Sequence, residues 1–113
     1  DIPDPAKFAA DYKAKFNADP GSYSAPGYAC TQIFLAALKA VGASAGGDMA
    51  KLREAIRAYV ADPKNSYDTV LGKVGFDANG DTTQHTISYY QFDPTTKNWK
   101  FLKQRDFTAD PVK

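Results

Sequence analysis

The stretch 70-VLGKVGFDANGDTTQHTISYYQF-92 decides how the chain is built. Val70, Gly72, Val74 and Phe76 alternate with polar or small residues, the period of a half-buried strand. The dipeptide 79-NG-80 is a strong hairpin-turn signal, because asparagine and glycine tolerate positive φ. Beyond it, residues 85–92 alternate again: Ile87, Tyr89 and Gln91 on one face, Ser88, Tyr90 and Phe92 on the other. Between the two strands lies 77-DANGD-81, whose carboxylates invite comparison with a calcium loop. A calcium loop needs six to eight oxygens, a glycine at its sixth position and a distant bidentate glutamate. Here Gly80 comes two positions early and no glutamate follows it in the chain. The segment is expected to be a turn, and no metal site is expected anywhere.

Outward from this stretch the pattern extends in both directions. Downstream, 93-DPTTKN-98 is a polar turn and 99-WKFLKQ-104 a third strand, followed by 108-TADPVK-113, which has no periodicity and is expected to be loose. Upstream of about residue 66 the apolar spacing becomes helical. Phe8, Tyr12 and Phe16 recur every four residues on a helix predicted from Pro5 to Asn17, with Asp4 as N-cap. A second helix is predicted from Ser24–Pro26 to Val41, capped by Ser24, with Ile33, Phe34, Ala37, Leu38 and Val41 buried and Gly42 as its end. It carries one charge, Lys39, so it is expected to be covered on most sides. The third begins after Asp48, lines Met49, Leu52, Ile56, Tyr59 and Val60 on one side, and stops at Asp62-Pro63.

Composition excludes several functions. Fourteen basic and thirteen acidic residues leave a formal charge of +1. They are spread along the chain, which argues against nucleic acid as a partner. No apolar run is expected to approach the ~20 residues of a membrane span. The start, Asp1-Ile2-Pro3-Asp4, lacks the pattern of a signal peptide. One cysteine, Cys30, cannot make an internal disulfide, and its apolar neighbours mark it as a buried thiol. His85, the single histidine, reads as a strand-surface residue. Glu54 is the one glutamate and lies on a polar helix face, while half of the aspartates (Asp4, Asp19, Asp48, Asp62, Asp93 and Asp110) precede prolines or cap helices. The segment 42-GASAGG-47 lacks the lysine and the strand of a phosphate loop. No catalytic residue and no cofactor is expected, and the chain does not read as an enzyme. More suggestive is 20-PGSYSAPGY-28. A tyrosine on a Gly/Ser/Pro loop before a helix can offer a ring and a hydroxyl to a small ligand, with helical N–H groups nearby for an anion. Tyr28 instead reads as packing against Phe8 and Tyr12.

Three segments, in order, resemble one family. They are 8-FAADYKAKFNADPGSYSAPGYA-29, 31-TQIFLAALKAVGA-43, and 72-GKVGFDANGDTTQHTISYYQF-92 with Trp99. Together they resemble the C-terminal portion of the periplasmic substrate-binding proteins of ABC transporters, branched-chain amino acid type. The resemblance implies an α/β fold that is part of the two-lobed type I periplasmic-binding architecture, with three helices followed by antiparallel strands and hairpins. It implies that residues 1–86 belong to one lobe, that the chain crosses near residues 85–88, and that residues 87–113 hold the crossover and a terminal hairpin of the other lobe. It implies a branched-chain amino acid or related small, even aromatic, carboxylate as ligand, a membrane permease as partner and a periplasmic or extracytoplasmic location. Tyr23 matches the family position that lines the cleft, with Ser22 and Ser24 as neighbours. The resemblance also implies missing upstream strands. Their absence would leave apolar faces and strand edges bare, so self-association is expected. The other reading is a free-standing α+β module for protein interaction or ligand sensing.

Overall fold

The protein was examined as a computed structural model, which describes residues 3–107; the expectation of a loose segment over residues 108–113 lies outside them. The order of elements is α1 (Pro5–Phe16), α2 (Ser24–Val41), a 3₁₀ turn (Gly42–Ala45), α3 (Met49–Ala61), β1 (Ser66–Thr69), β2 (Gly72–Gly75), β3 (Thr86–Asp93) and β4 (Asn98–Asp106). This is a mixed α/β chain with three helices and antiparallel strand pairs, as a partial periplasmic-binding fold requires. The chain divides after Thr83 into two compact units.

In the first unit, Asp4 accepts a hydrogen bond from Lys7 N at 2.9 Å and caps α1. Asn17 ends that helix in the left-handed conformation, φ 52°, its N–H donating to Lys13 O. No residue of α1 is buried. The second helix buries Ala25, Ala29, Ile33 and Ala37, one residue every four along a single stripe. Three of those four are alanines, so α3 and β1 can approach α2 closely. Beside Ile33, Tyr67 of β1 and Val74 of β2 complete the buried cluster, with Tyr59, Val60, Leu71 and Phe76 packed around it. Asp48 caps α3, accepting from Ala50 N and Lys51 N at 2.9 and 3.1 Å.

Several expectations need correction here. Phe34 is 49 % exposed rather than buried. Cys30 is exposed as well. Both follow from the same cause: α2 is covered along one stripe, not on most sides. Ser24 does not cap α2, because its Oγ accepts from Gly21 N at 3.0 Å instead. Gly42 continues into the 3₁₀ turn with right-handed angles, and Gly46, φ 57°, is where the backbone reverses hand. Met49 lies 59 % exposed off the end of the α3 stripe. The run Ser24–Ala45, 22 residues containing an 18-residue window of mean hydropathy 1.2, is long and apolar enough to cross a membrane by length and composition. Here it is the helix on which α3 and β1 pack.

The strand predicted from Val70 begins at Gly72, and a strand that the alternation did not predict, β1, precedes it. β1 pairs with β2 from Ser66↔Gly75 to Thr69↔Gly72, so Val70 and Leu71 form the turn. Thr69 Oγ1 closes it by donating to Gly72 O at 2.8 Å, and Gly72 adopts φ 88°. The sequence 77-DANGD-81 is a turn, closing a bridge between Phe76 and Thr82. Gly80 carries the positive φ of 87° alone, and Asn79 does not share it. Asp77 organises this loop: its Oδ1 accepts from Asn79 N at 2.8 Å and Asp81 N at 2.9 Å. Those backbone donors, Asp81 first, hold the Asp77 carboxyl below its ordinary value.

This gives a pH prediction. The loop is stabilised by the ionised carboxylate. That contribution is complete above the ordinary aspartate range near ~4 and fades as pH falls through it toward the depressed folded value. Following the Asn79 and Asp81 amide shifts by NMR should show the loop loosening in acid. Asp77→Asn keeps an acceptor oxygen but cannot titrate, so its loop shifts should be flat with pH. A wild-type loop equally flat through the carboxylate range would contradict the assignment.

The second unit is built on one hairpin. β3 pairs with β4 antiparallel from Thr86↔Asp106 to Asp93↔Asn98, with a register shift beside Tyr89/Tyr90 that leaves Leu102 without a partner. Asp93 Oδ1 accepts from Thr95 N at 2.8 Å in the connecting loop. Lys97 adopts φ 53° there.

Candidate functional site

Tyr23 and its neighbours lie where Pro20 and Gly21 turn the chain between α1 and α2. The turn is fastened by backbone and side chain together. Ser24 N donates to Gly21 O at 3.0 Å, Gly21 N donates back to Ser24 Oγ at 3.0 Å, and Gly27 N donates to Tyr23 O at 3.0 Å. Tyr23 itself stands at the N-cap position of α2 without making a side-chain cap. Its side chain is 86 % exposed, the most exposed large apolar residue described. A held backbone presenting a bare ring is how a binding side chain is displayed on a scaffold. Ser22 is exposed beside it; the Ser24 hydroxyl is committed to the turn.

Anion capture by the start of α2 is less favourable than the sequence suggested. Pro26 has no N–H, and the Ser24 N–H is already bonded to Gly21 O. Of the four amides that a helix normally leaves free, here those of residues 23–26, one is therefore absent and one is taken.

A groove of about 780 Å³ runs beside this turn, within the same unit, lined by Phe8, Tyr12 and Phe16 of α1 and by Tyr28, Thr31 and Gln32 of α2. Ser24 reaches its wall, whereas Tyr23 and Ser22 do not. The aromatic stripe predicted on α1 faces this groove. Phe8 meets Tyr28 edge-on at 6.0 Å between ring centres, and Tyr12 meets Phe16 at 4.7 Å. Tyr28 thus meets Phe8, as the sequence indicated, but it stays 56 % exposed.

Gln32 was passed over by the sequence reading. Its Oε1 accepts from Val70 N at 2.8 Å, joining α2 to the β1–β2 turn across 38 positions. The available signal was an amide side chain in the middle of an otherwise apolar helix, where a buried polar group demands a partner.

Among the described residues, no group of three or more His, Cys, Asp or Glu side chains could hold a metal ion. The ion pairs are solvated: Lys7 with Asp11, Lys13 with Asp19, and Arg57 with Glu54. Glu54 accepts from Arg57 Nε at 2.9 Å, and this bond holds its carboxyl low. A solvated, fully ionised carboxylate of this kind is poorly suited to proton transfer near neutrality.

The profile of a family described as periplasmic binding protein matches residues 1–98. No curated protein matches the chain. With that match spanning most of its length, the chain belongs to the periplasmic binding protein family, a non-enzymatic family that binds solutes outside the cytoplasm.

Proposed function

We propose that this chain is the closing portion of the solute-binding component of an ABC importer, taking a branched-chain amino acid or related small carboxylate between two lobes. Residues 1–86 fall in one lobe, and residues 87–113 supply the crossover and terminal hairpin of the other. A membrane permease receives the ligand. The observation that carries the reading is Tyr23, a ring 86 % exposed on a backbone fastened by three hydrogen bonds. No packing demand accounts for holding it there. The unit boundary after Thr83 lies close to the proposed crossover near residues 85–88. The uncovered side of α2, with Phe34 and Leu35 at 49 % and 55 % exposure, is the surface against which the lobe's upstream strands would pack.

Tyr23 suits an aliphatic side chain by contact and an aromatic one by stacking. Calorimetric titration of the polypeptide extended upstream, with amino acids and small aromatic and aliphatic carboxylates, tests the reading. One-to-one binding of a member of that set supports it, and binding of none of them contradicts it. A protein-interaction module remains the second reading, favoured by the exposed aromatic face of the β3–β4 hairpin.

A further inference from the structure

Asn79 is followed by glycine, and that pairing has a chemistry of its own. Asparagine is a thermolabile residue. The main-chain nitrogen of the next residue can attack its side-chain carbonyl carbon, Cγ, and close a five-membered ring. A glycine in the next place removes the Cβ that would crowd this approach. The four asparagines of the chain, Asn17, Asn65, Asn79 and Asn98, are followed by Ala, Ser, Gly and Trp. Asn65 is half-buried as well, its Nδ2 donating to Tyr59 O at 2.8 Å. Asn79 and Gly80 are both exposed, and a Cβ built at Gly80 would meet nothing within 4 Å. By sequence and by access, Asn79 is the reactive asparagine. The fold opposes the reaction at the same place. Gly80 N, the nitrogen that must attack, donates its hydrogen to Asp77 O at 3.0 Å. Asp77 also ties down both neighbours of Gly80. Its Oδ1 accepts from Asn79 N at 2.8 Å and Asp81 N at 2.9 Å, and its own N–H donates to Asp81 O at 2.9 Å.

We infer that Asn79 is a self-modification site that Asp77 keeps latched, so that it reacts when the loop opens. Water is the one co-reactant. Gly80 N gives up its proton and bonds to Asn79 Cγ, and the side-chain nitrogen leaves as ammonia. Water then opens the cyclic imide at one or the other carbonyl, leaving aspartate or isoaspartate at position 79. Either product places a new carboxylate between Asp77 and Asp81 and lowers the formal charge of +1 by one. Isoaspartate also routes the main chain through the side-chain carbon, adding one backbone atom between Asp77 and Asp81. The turn that closes the Phe76–Thr82 bridge then no longer has the length its hydrogen bonds require. Modification is a one-way change from a latched loop to an open one. This proposal is independent of the solute-binding reading.

The test incubates the whole chain at neutral pH, folded and in urea, and follows aspartate and isoaspartate at each asparagine by peptide mapping. In urea, Asn79 should be lost faster than Asn17, Asn65 or Asn98. In the folded chain its loss should be at least about tenfold slower than in urea, because reaction through an opened form tracks the population of that form. Hydrogen exchange at the Gly80 amide needs the same opening and should be slowed by a matching factor. Asp77→Ala, its fold checked by far-UV circular dichroism, should bring the folded rate most of the way to the urea rate. Asn79→Gln, which would have to close a six-membered ring, should abolish the signal. The proposal is overturned if Asn79 does not react first in urea, or if it reacts as fast folded as unfolded. It is equally overturned by a Gly80 amide that exchanges as freely as in the unfolded chain, or by a folded Asp77→Ala that reacts no faster. Should Asp77→Ala not fold, the match between Gly80 exchange and Asn79 loss in the wild type decides alone.

Discussion

Tyr67→Ala should destabilise the helical unit by about 3–5 kcal/mol, the range for deleting a buried aromatic ring. Tyr67 is 5 % exposed, touches Ile33 and Val74 in the buried cluster, and meets Tyr59 edge-on at 6.3 Å. Its removal opens a cavity beneath α2, and the alanines along that helix have no side-chain length with which to fill it. The hydroxyl has a separable role. It donates to Tyr59 O at 3.0 Å, the same carbonyl that accepts from Asn65 Nδ2 at 2.8 Å. Burial raises the pKa of this hydroxyl, so it stays a donor through the neutral range. Tyr67→Phe should therefore cost only about 1 kcal/mol, because the carbonyl keeps Asn65 as a partner. The double variant with Asn65→Ala should lose more than the sum of the single changes, since it leaves a carbonyl near the end of α3 with neither donor. Urea unfolding followed by the helical signal measures all of these. A loss below about 1 kcal/mol for Tyr67→Ala would mean that the cluster is not the core of the unit.

Tyr23→Ala should do the opposite: spare stability and remove binding. An aromatic anchor at the centre of a contact is commonly worth about 2 kcal/mol or more, so affinity for the solute should fall roughly thirtyfold in the upstream-extended polypeptide. The unfolding midpoint should stay within the scatter of a surface substitution, because a ring 86 % exposed supports nothing around it. Tyr23→Phe separates the two ways the residue can act. Retained affinity assigns the contribution to the ring, and lost affinity assigns it to the hydroxyl. Ser22→Ala should change affinity less than either. An affinity unchanged by Tyr23→Ala in calorimetry would remove Tyr23 from the cleft.

The helices were legible because their signals are local. Asp4 and Asp48 cap where a carboxylate precedes an apolar-periodic run, and the four-residue spacing of Phe8, Tyr12 and Phe16 set the face of α1. The β3–β4 hairpin followed from alternation and a polar turn. What could not be read depends on partners distant in sequence. The turn at Val70-Leu71 falls at the start of the alternating run and hides β1 before it; it is made by Thr69 Oγ1 and the left-handed Gly72. Burial on α2 was misjudged because apolar character was taken to mean coverage, while Cys30, Phe34 and Leu35 lie on a side that no described element covers. At the candidate site, the loop chemistry announced an ordered turn at Tyr23. The tie from Gln32 to Val70 could not be seen without the fold.

The uncovered surfaces are what the proposed two-lobed reading expects of a partial fold. Among the described residues, the buried apolar set of Ala25, Ala29, Ile33, Ala37, Ala45, Tyr67 and Val74 is small beside thirteen large apolar side chains left exposed. Under the proposed two-lobed reading those surfaces would face the remaining strands of each lobe.

That claim is tested most directly by the distance between two spin labels, one on Cys30 and one on Lys97→Cys, in the upstream-extended polypeptide with its other cysteines changed to serine. The labels stand on the two units that the account assigns to different lobes. Adding a saturating amount of the solute identified by calorimetry should move the distribution to a new, narrower distance. Ligand binding that leaves that distance unchanged would contradict the assignment of residues 1–86 and 87–113 to separate, closing lobes.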